Sequence, residues 1–450
     1  MPYATTAPAT TRQPTQIRRL LQERLDTLAR AHQVPGAQLA VHTGGVTYAV
    51  HTGVADVTTD EPLGSGTAVP LGSVTKVYTA AVAMLLVADG DVSLTDPVGT
   101  HVPELARLPR MTVRQLLSHT AGLPTGPDSD DAAALTPARY LAGHATDVVC
   151  PPGGGFSYSN AGYVAAGRLI EAVTGMSWQE AVRAFLLEPL GTTPAFLTDP
   201  APARPVARGH SANALTGRVR PVQQTLAPVE APAGALLASA LELVALGRVL
   251  IGHGPRTVLT AEDAEEMRRP VPGAHPGVLA DAWGLGPALF QDGGRQWCGH
   301  DGNAQGTSCF LRAEPDSGDI VAFTGNANSG TALWHELADD LAQIAGVSLP
   351  PAPAPAPRDA PVRALPQGAG TYRNGTVDYR VTADEQGTLT LSVNGDSPAP
   401  LVCHPDLSCD LVDPATGRRL PGGRFLRDPD TGAIDRLQIS GRTARRTDIG

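Results

Sequence analysis

The run of apolar and polar positions divides the chain before any single residue is weighed. Thr15 to His32 reads as a helix, and "GAQLAVHTGGVTYAVHTG" after it alternates about a Gly-Gly pair, the pattern of a β-hairpin. "VYTAAVAMLLVA" is apolar on nearly every side, which predicts a buried helix. The middle, Asp96 to about Val244, is mostly helical in pattern. Strands return in "CGHDGNAQGTSCFLRAEPDSGDIVAFTGNA", and a last helix is predicted over Ala332 to Ala345. Strands at both ends of a helical middle imply one sheet assembled from distant segments. Then "LPPAPAPAPRDAPVRALP", Leu349 to Pro366, alternates Pro and Ala as a semi-rigid extended linker does. Beyond it, "TYRNGTVDYRVTADEQGTLTLSVNG" and "FLRDPDTGAIDRLQI" carry short alternating strands with Asn-Gly and Gly-Thr turns, a small all-β domain and most simply a barrel. The expected division is a catalytic domain over 1–348, a linker over 349–366 and a β-domain over 367–450. No internal repeat is visible.

Composition narrows the class. A chain of 450 residues with 42% hydrophobic content can bury several cores, and a net charge of −10 without a basic patch argues against nucleic acid. The longest apolar run, about Val77 to Ala88, is too short to span a bilayer. The first 33 residues are polar and arginine-bearing, without the apolar core of a secretory signal, so the expected location is the cytoplasm. Five scattered cysteines, Cys150, Cys298, Cys309, Cys403 and Cys409, lack metal-ligand spacing and suit a reduced compartment without disulfides.

One residue stands out chemically. Of 34 Lys plus Arg, a single residue, Lys76, is lysine. Arginine stays protonated at any accessible pH, whereas a buried lysine can shed its proton and act as a base. Lys76 follows Ser73 by three positions in "GSVTKVYTAA", so on a helix both face one way. Without chemistry the same stretch is a serine cap and a snorkelling lysine. Two further stretches bear on the choice. In "PPGGGFSYSNAGYVAAGRLIEAVTGMSW", Tyr158 and Asn160 are two apart after a glycine-rich loop, and in an extended loop that spacing aims both the same way. In "WCGHDGNAQG", His300 and Gly302 share a strand face, where the glycine would admit a ligand to the backbone. Similar triplets recur at Tyr372-Arg373-Asn374, His42-Thr43-Gly44 and His51-Thr52-Gly53, which are expected to be ordinary turn and strand residues.

Ser-x-x-Lys on a buried helix, then Tyr-x-Asn, then His-x-Gly on a late strand resembles the serine acyl-enzyme family of class C β-lactamases, penicillin-binding DD-peptidases and related esterases, whose sister pattern uses Ser-Asp-Asn and Lys-Thr-Gly. "MTVRQLLSHTAGLP", "EPLGTTPAF" and "WGLGPALF" look like that family's connecting segments, and the likeness runs from about Ile17 to Ala345. The resemblance implies an α/β fold with an antiparallel sheet flanked by helices, plus an all-helical subdomain, here followed by a lipocalin-like β-domain. It implies Ser73 as nucleophile, Lys76 and Tyr158 as proton carriers, Asn160 on the substrate amide, and His300 with Asp301 and Gly302 on the opposite wall. The oxyanion hole would be the N–H groups of Ser73 and Asn303, with no metal or cofactor. Asp301 is unusual in the third motif and leaves that wall's charge open.

A catalytic domain joined to such a β-domain looks like the penicillin-binding-protein-type thioesterases, which release nonribosomal peptides from carrier thioesters by head-to-tail cyclisation. The expected partner is a peptidyl thioester or ester, delivered on a peptidyl carrier protein, with no nucleic acid and no membrane. The alternatives are a cytoplasmic esterase or D-aminopeptidase, and an inactive sensor module of the same fold. In the terminal "SGRTARRTDIG", Arg442, Arg445 and Arg446 are candidates to face the site, Arg446 being assigned to substrate binding; a solvated strand end is the plainer reading.

Overall fold

The computed structural model describes residues 12–126, 134–213, 216–352, 361–362, 365–413 and 417–448. Its frame is an eight-stranded antiparallel sheet built from both ends of the catalytic region, in the order Glu61–Pro62, Val46–Asp56, Gly36–Thr43, Ile320–Gly325, Ser308–Ala313, Arg295–Gly302, Ala288–Asp292 and Ala282–Trp283. The expected hairpin turns at Gly44 and Gly45, both at positive φ (55° and 79°). Its first strand pairs with the last, from Ala37 opposite Gly325 to His42 opposite Ile320. Alternation along Gly36–Thr43 sends Ala37, Leu39 and Val41 to one core and Ala40 to the other. Helices Pro14–Ala31 and Gly330–Ala345 cover the first face, and Ala240–Leu250 covers the second.

The predicted buried helix is Thr75–Ala88, in which every residue but Leu85, Val87 and Ala88 is buried. It packs on Asn160–Thr174, the longest helix of a helical region that also holds Val113–Leu117, Pro137–His144 and Trp178–Val182. The middle of the chain is less uniformly helical than its pattern suggests. Short strands His210–Asn213 and Arg218–Pro221 pair there, and Leu237–Ala238 pairs with Val69–Pro70. All five cysteines are buried. Among the described residues no helix is long and apolar enough to cross a membrane.

The β-domain is a closed eight-stranded barrel from Gly370–Asn374 to Arg442–Arg446, sealed where Tyr372 pairs with Arg446. Tyr372, Val381, Leu391, Phe425 and Leu437 are among the side chains that fill it, as befits a barrel of this strand number. Its last hairpin, Ile434–Ile439 with Arg442–Arg446, turns at Ser440 and Gly441, again with both φ angles positive (47° and 74°). Of the Pro-Ala linker, residues 353–360 and 363–364 lie outside the described residues. Leu349 to Ala352 run along the catalytic domain rather than away from it, and they line a cavity there.

Candidate active site

Ser73 sits in a tight turn, Gly72–Val74, that leads directly into the buried helix. Gly72 makes the turn possible, because its φ is +54° and a Cβ there would lie 2.4 Å from the Asn303 carbonyl oxygen. Ser73 makes no side-chain cap, and Lys76 does not snorkel, being 1% exposed. Lys76 Nζ lies 3.2 Å from Ser73 Oγ and donates to the Ala233 carbonyl at 2.9 Å. With one N–H spent on that carbonyl, a neutral amine can turn its lone pair to the serine. Burial, then the nearby Arg442 cation, pull Lys76 down to about 7, with Glu230 opposing.

Tyr158 closes the other side. Its ring centroid is 5.0 Å from Lys76 Nζ and 5.4 Å from the Arg442 guanidinium. Burial pushes its phenol up to about 12, against the lowering effect of the Ser73 hydroxyl and Arg442, so at neutral pH it holds a proton to give. Of this pair, Lys76 is the group that can be without its proton near neutral pH. His119 packs its ring 4.4 Å from that of Tyr158 and accepts the Ser159 N–H through Nδ1 at 3.0 Å. Burial, with Lys76 and His300 nearby, holds His119 well below the usual histidine range.

On the facing strand, His300 is 3% exposed and its Nδ1 is 2.6 Å from the Asp301 carbonyl oxygen. A carbonyl only accepts, so Nδ1 carries the hydrogen. Burial, then Lys76, hold the ring down to about 4, which leaves it neutral with a lone pair on Nε2. The wall's positive charge comes instead from Arg312, paired with Asp301 at 2.5 Å and stacked 3.8 Å over Phe290. These groups surround a cavity of about 680 Å³ whose lining includes Ser73, Tyr158, Trp283, His300, Asn303 and Arg442.

A model of the β-lactamase family matches residues 17–346. The chain belongs to that family of serine hydrolases, which includes the penicillin-binding proteins. It is 34% identical to penicillin-binding protein 4 of Amycolatopsis lactamdurans over 78% of this chain and 96% of that one. The crystal structure of SurE is 38% identical, with a TM-score of 0.87, and the match covers 96% of this chain and 99% of that one, barrel included. SurE with D-Leu matches to the same extent, with a TM-score of 0.85. A D-stereospecific amidohydrolase from Streptomyces sp. is 26% identical, with a TM-score of 0.58, and covers 75% of this chain and 100% of its own.

Within this family member Ser73, Tyr158, His300, Asp301 and Asn303 line one cavity, with Lys76 buried behind Ser73, but other expected residues stand differently. Asn160 is the first residue of helix Asn160–Thr174, capped by Ser159, so the extended-loop parity argument does not describe it. It is half-buried, with its main-chain N–H on the Thr125 carbonyl (2.9 Å), and does not line the cavity. Gly302 does not admit a ligand. A Cβ there would lie 2.0 Å from the Leu71 carbonyl oxygen, so the glycine lets the strand abut the nucleophile's turn and brings Asn303 beside Gly72.

Arg446, the arginine expected at the substrate, does not line the cavity. Arg446 pairs with Asp448 (2.8 Å) and donates to the Gln367 carbonyl (2.9 Å) and the Ala369 carbonyl, at the far end of its strand from the cavity. Arg442 is the arginine that reaches the site, while Arg445 is exposed. Arg312 and Ala233 carry no local signal in the sequence, and nothing there separates Arg442 from Arg445 and Arg446, because strand register and domain docking, not local spacing, bring these groups in.

Because Lys76 must be neutral to take the serine proton, the competent fraction grows as pH rises through about 7 and is lost below it. Arg442 is the second cause of that low value, so Arg442→Ala should move the acid limb of acylation to higher pH. The check is the pH dependence of acylation by a small neutral ester. A limb that does not move would remove Arg442 from the electrostatics of Lys76.

Proposed function

We propose that this serine hydrolase releases peptides from a carrier thioester by head-to-tail cyclisation, through an acyl-enzyme on Ser73. The observation that carries the reading is the barrel's last turn over the site. Gly441 accepts the Tyr158 main-chain N–H at 2.9 Å, and Arg442 lies beside the nucleophile's cavity. A roof of this kind would keep water from the acyl-enzyme while the peptide's own amine returns to attack it.

In this mechanism Ser73 Oγ bonds to the acyl carbon as its proton passes to Lys76. The oxyanion rests on the N–H groups of Ser73 and Asn303, worth about 3–4 kcal/mol per donor. Collapse breaks the C–S bond, and the departing sulfur takes a proton from Tyr158 or Lys76. The peptide's own amine then attacks the Ser73 ester, loses a proton to Lys76, and Oγ leaves with a proton regained. His300, neutral and with a lone pair on Nε2, offers an acceptor on the facing wall. Trp283, Phe290 and Trp334 make that cavity suited to a bulky apolar side chain. The D-Leu bound to SurE supports a D-configured residue at the acyl position. Carrier-bound thioesters are intracellular, so the reading puts the reaction in the cytoplasm.

The second reading, a D-amino-acid amidase or esterase, is favoured by the Streptomyces amidohydrolase, whose whole length matches only 75% of this chain. A peptidyl thioester with a free N-terminus and a D-residue at the thioester separates the two. Cyclic product as the major species is expected. Linear acid alone, together with turnover of a D-amino-acid amide, would establish the amidase.

A further inference from the structure

The triplet Tyr372-Arg373-Asn374 lies in the barrel, where sequence order gives it no part in the chemistry. Tyr372 is indeed a barrel core residue, its hydroxyl on the Gly368 carbonyl at 2.9 Å. Asn374 is different. It ends the barrel's first strand, is 0% exposed, and its amide binds three separate segments. Oδ1 accepts the Thr125 N–H at 2.7 Å, while Nδ2 donates to the Thr443 carbonyl at 2.8 Å and to Ser157 Oγ at 3.4 Å.

Each of those partners adjoins a site residue. Thr125 receives the Asn160 N–H on its carbonyl (2.9 Å) and Arg442 Nε on its hydroxyl (3.1 Å). Ser157 precedes Tyr158, and its own N–H is tied to the His119 carbonyl at 2.8 Å. Thr443 follows Arg442 and donates its N–H to Ser157 Oγ at 3.2 Å. An interface needing only adhesion would bury apolar surface. Here the contact buries a connected set of polar groups, Asn374, Gln438 and Thr443, with Gln438 Nε2 and Thr443 Oγ1 both on the Phe156 carbonyl (3.1 and 2.8 Å). Such a network is costly when a member is displaced, and so it selects one register of barrel against catalytic domain.

We propose that Asn374 is a positioning residue, which acts through Ser157, Thr125 and Thr443 to hold Tyr158, Asn160 and Arg442 in one arrangement around Ser73. The inference rests on the active-site reading above, and the barrel is then part of the catalytic apparatus whatever product it favours. Asn374→Asp keeps the shape and the acceptor for Thr125 but turns an oxygen toward the Thr443 carbonyl. Asn374→Ala removes all three bonds.

The test is p-nitrophenyl butyrate turnover by the full chain. Either substitution should lower kcat about tenfold or more with KM within about threefold and a cooperative melt retained; in a Tyr158→Phe background the same substitution should cost less than about threefold, because the two losses share one cause. An undiminished kcat, or losses that simply multiply in the double variant, would overturn the proposal. Should neither Asn374 variant be soluble, Ser157→Ala decides on the same criterion, with a smaller loss that vanishes in the Tyr158→Phe background. Ser73→Ala separates the two levels: turnover surviving it would sink the active-site reading itself, whereas its abolition with intact Asn374 variants would sink only the positioning role.

Discussion

Lys76→Arg is expected to lower acylation of Ser73 by about 10²–10⁴-fold while the protein still folds. The charge is unchanged, so an effect of charge alone predicts little loss. What changes is the ability to be neutral: arginine does not deprotonate in proteins, and the amine at position 76 sits at about 7 because burial and Arg442 disfavour its cation. The site also leaves little room. Lys76 Nζ is held between Ser73 Oγ and the Ala233 carbonyl, and Gly167 lets the segment carrying that carbonyl come close, since a Cβ there would lie 2.2 Å from Pro232 Cγ. A guanidinium would press on this contact, so the melting temperature must be measured beside the rate. Labelling of Ser73 by a fluorophosphonate is the readout. Near-normal labelling in a folded Lys76→Arg variant would mean that another group takes the serine proton.

The pairing of Ser73 with Lys76 was legible because it is local. Three positions, across a tight turn and into an apolar helix, bring the two together whatever the rest of the chain does, and the absence of any other lysine singles out Lys76. The barrel was legible for a similar reason, since alternation and Gly-containing turns report strands without knowledge of their partners. The third wall was not. Arg312 lies on Ser308–Ala313, a strand buried along its whole length, where alternation assigns no face. It reaches the cavity through register: Arg312 lies opposite Gly299, the strand neighbour of His300, and folds its guanidinium onto Phe290 and Asp301. Asp301, unusual in the third motif, is the carboxylate that pairs with this arginine.

The choice among the three terminal arginines shows the same limit. Arg442 and Arg446 lie four residues apart on one strand, about 13 Å, and only docking decides which end meets the catalytic domain. That docking depends on a turn whose shape was not specified by the pattern. It also depends on Asn374, a residue that motif order alone dismisses. Sequence spacing finds groups that share an element, whereas groups that meet across a domain interface carry no spacing at all.

Removing the barrel should change what the enzyme makes as well as how fast. A chain ending at Ala352 keeps both cores of the catalytic domain and every lining residue of the cavity except Arg442, because the barrel's core is separate. It loses the Gly441 carbonyl that holds the Tyr158 main chain, so total turnover should fall. It also opens the acyl-enzyme to water, so the product that remains should be mostly linear, with the cyclic-to-linear ratio reduced by about tenfold or more. Truncation alone leaves open whether the lost roof or a damaged domain is responsible, and Gly441→Ala in the full chain answers that. Its φ of +74° disfavours a side chain, and a Cβ there would lie 2.3 Å from Leu279 Cδ1 and 3.3 Å from the Pro276 carbonyl oxygen, so the substitution strains the turn and displaces Leu279 while the barrel stays attached. Both variants should shift the ratio in the same direction, read by mass spectrometry of a peptidyl thioester reaction. If the ratio is unchanged in both while Ser73 is still acylated, water exclusion by the barrel is not what favours the amine, and the domain serves only to hold Tyr158 and Arg442 in place.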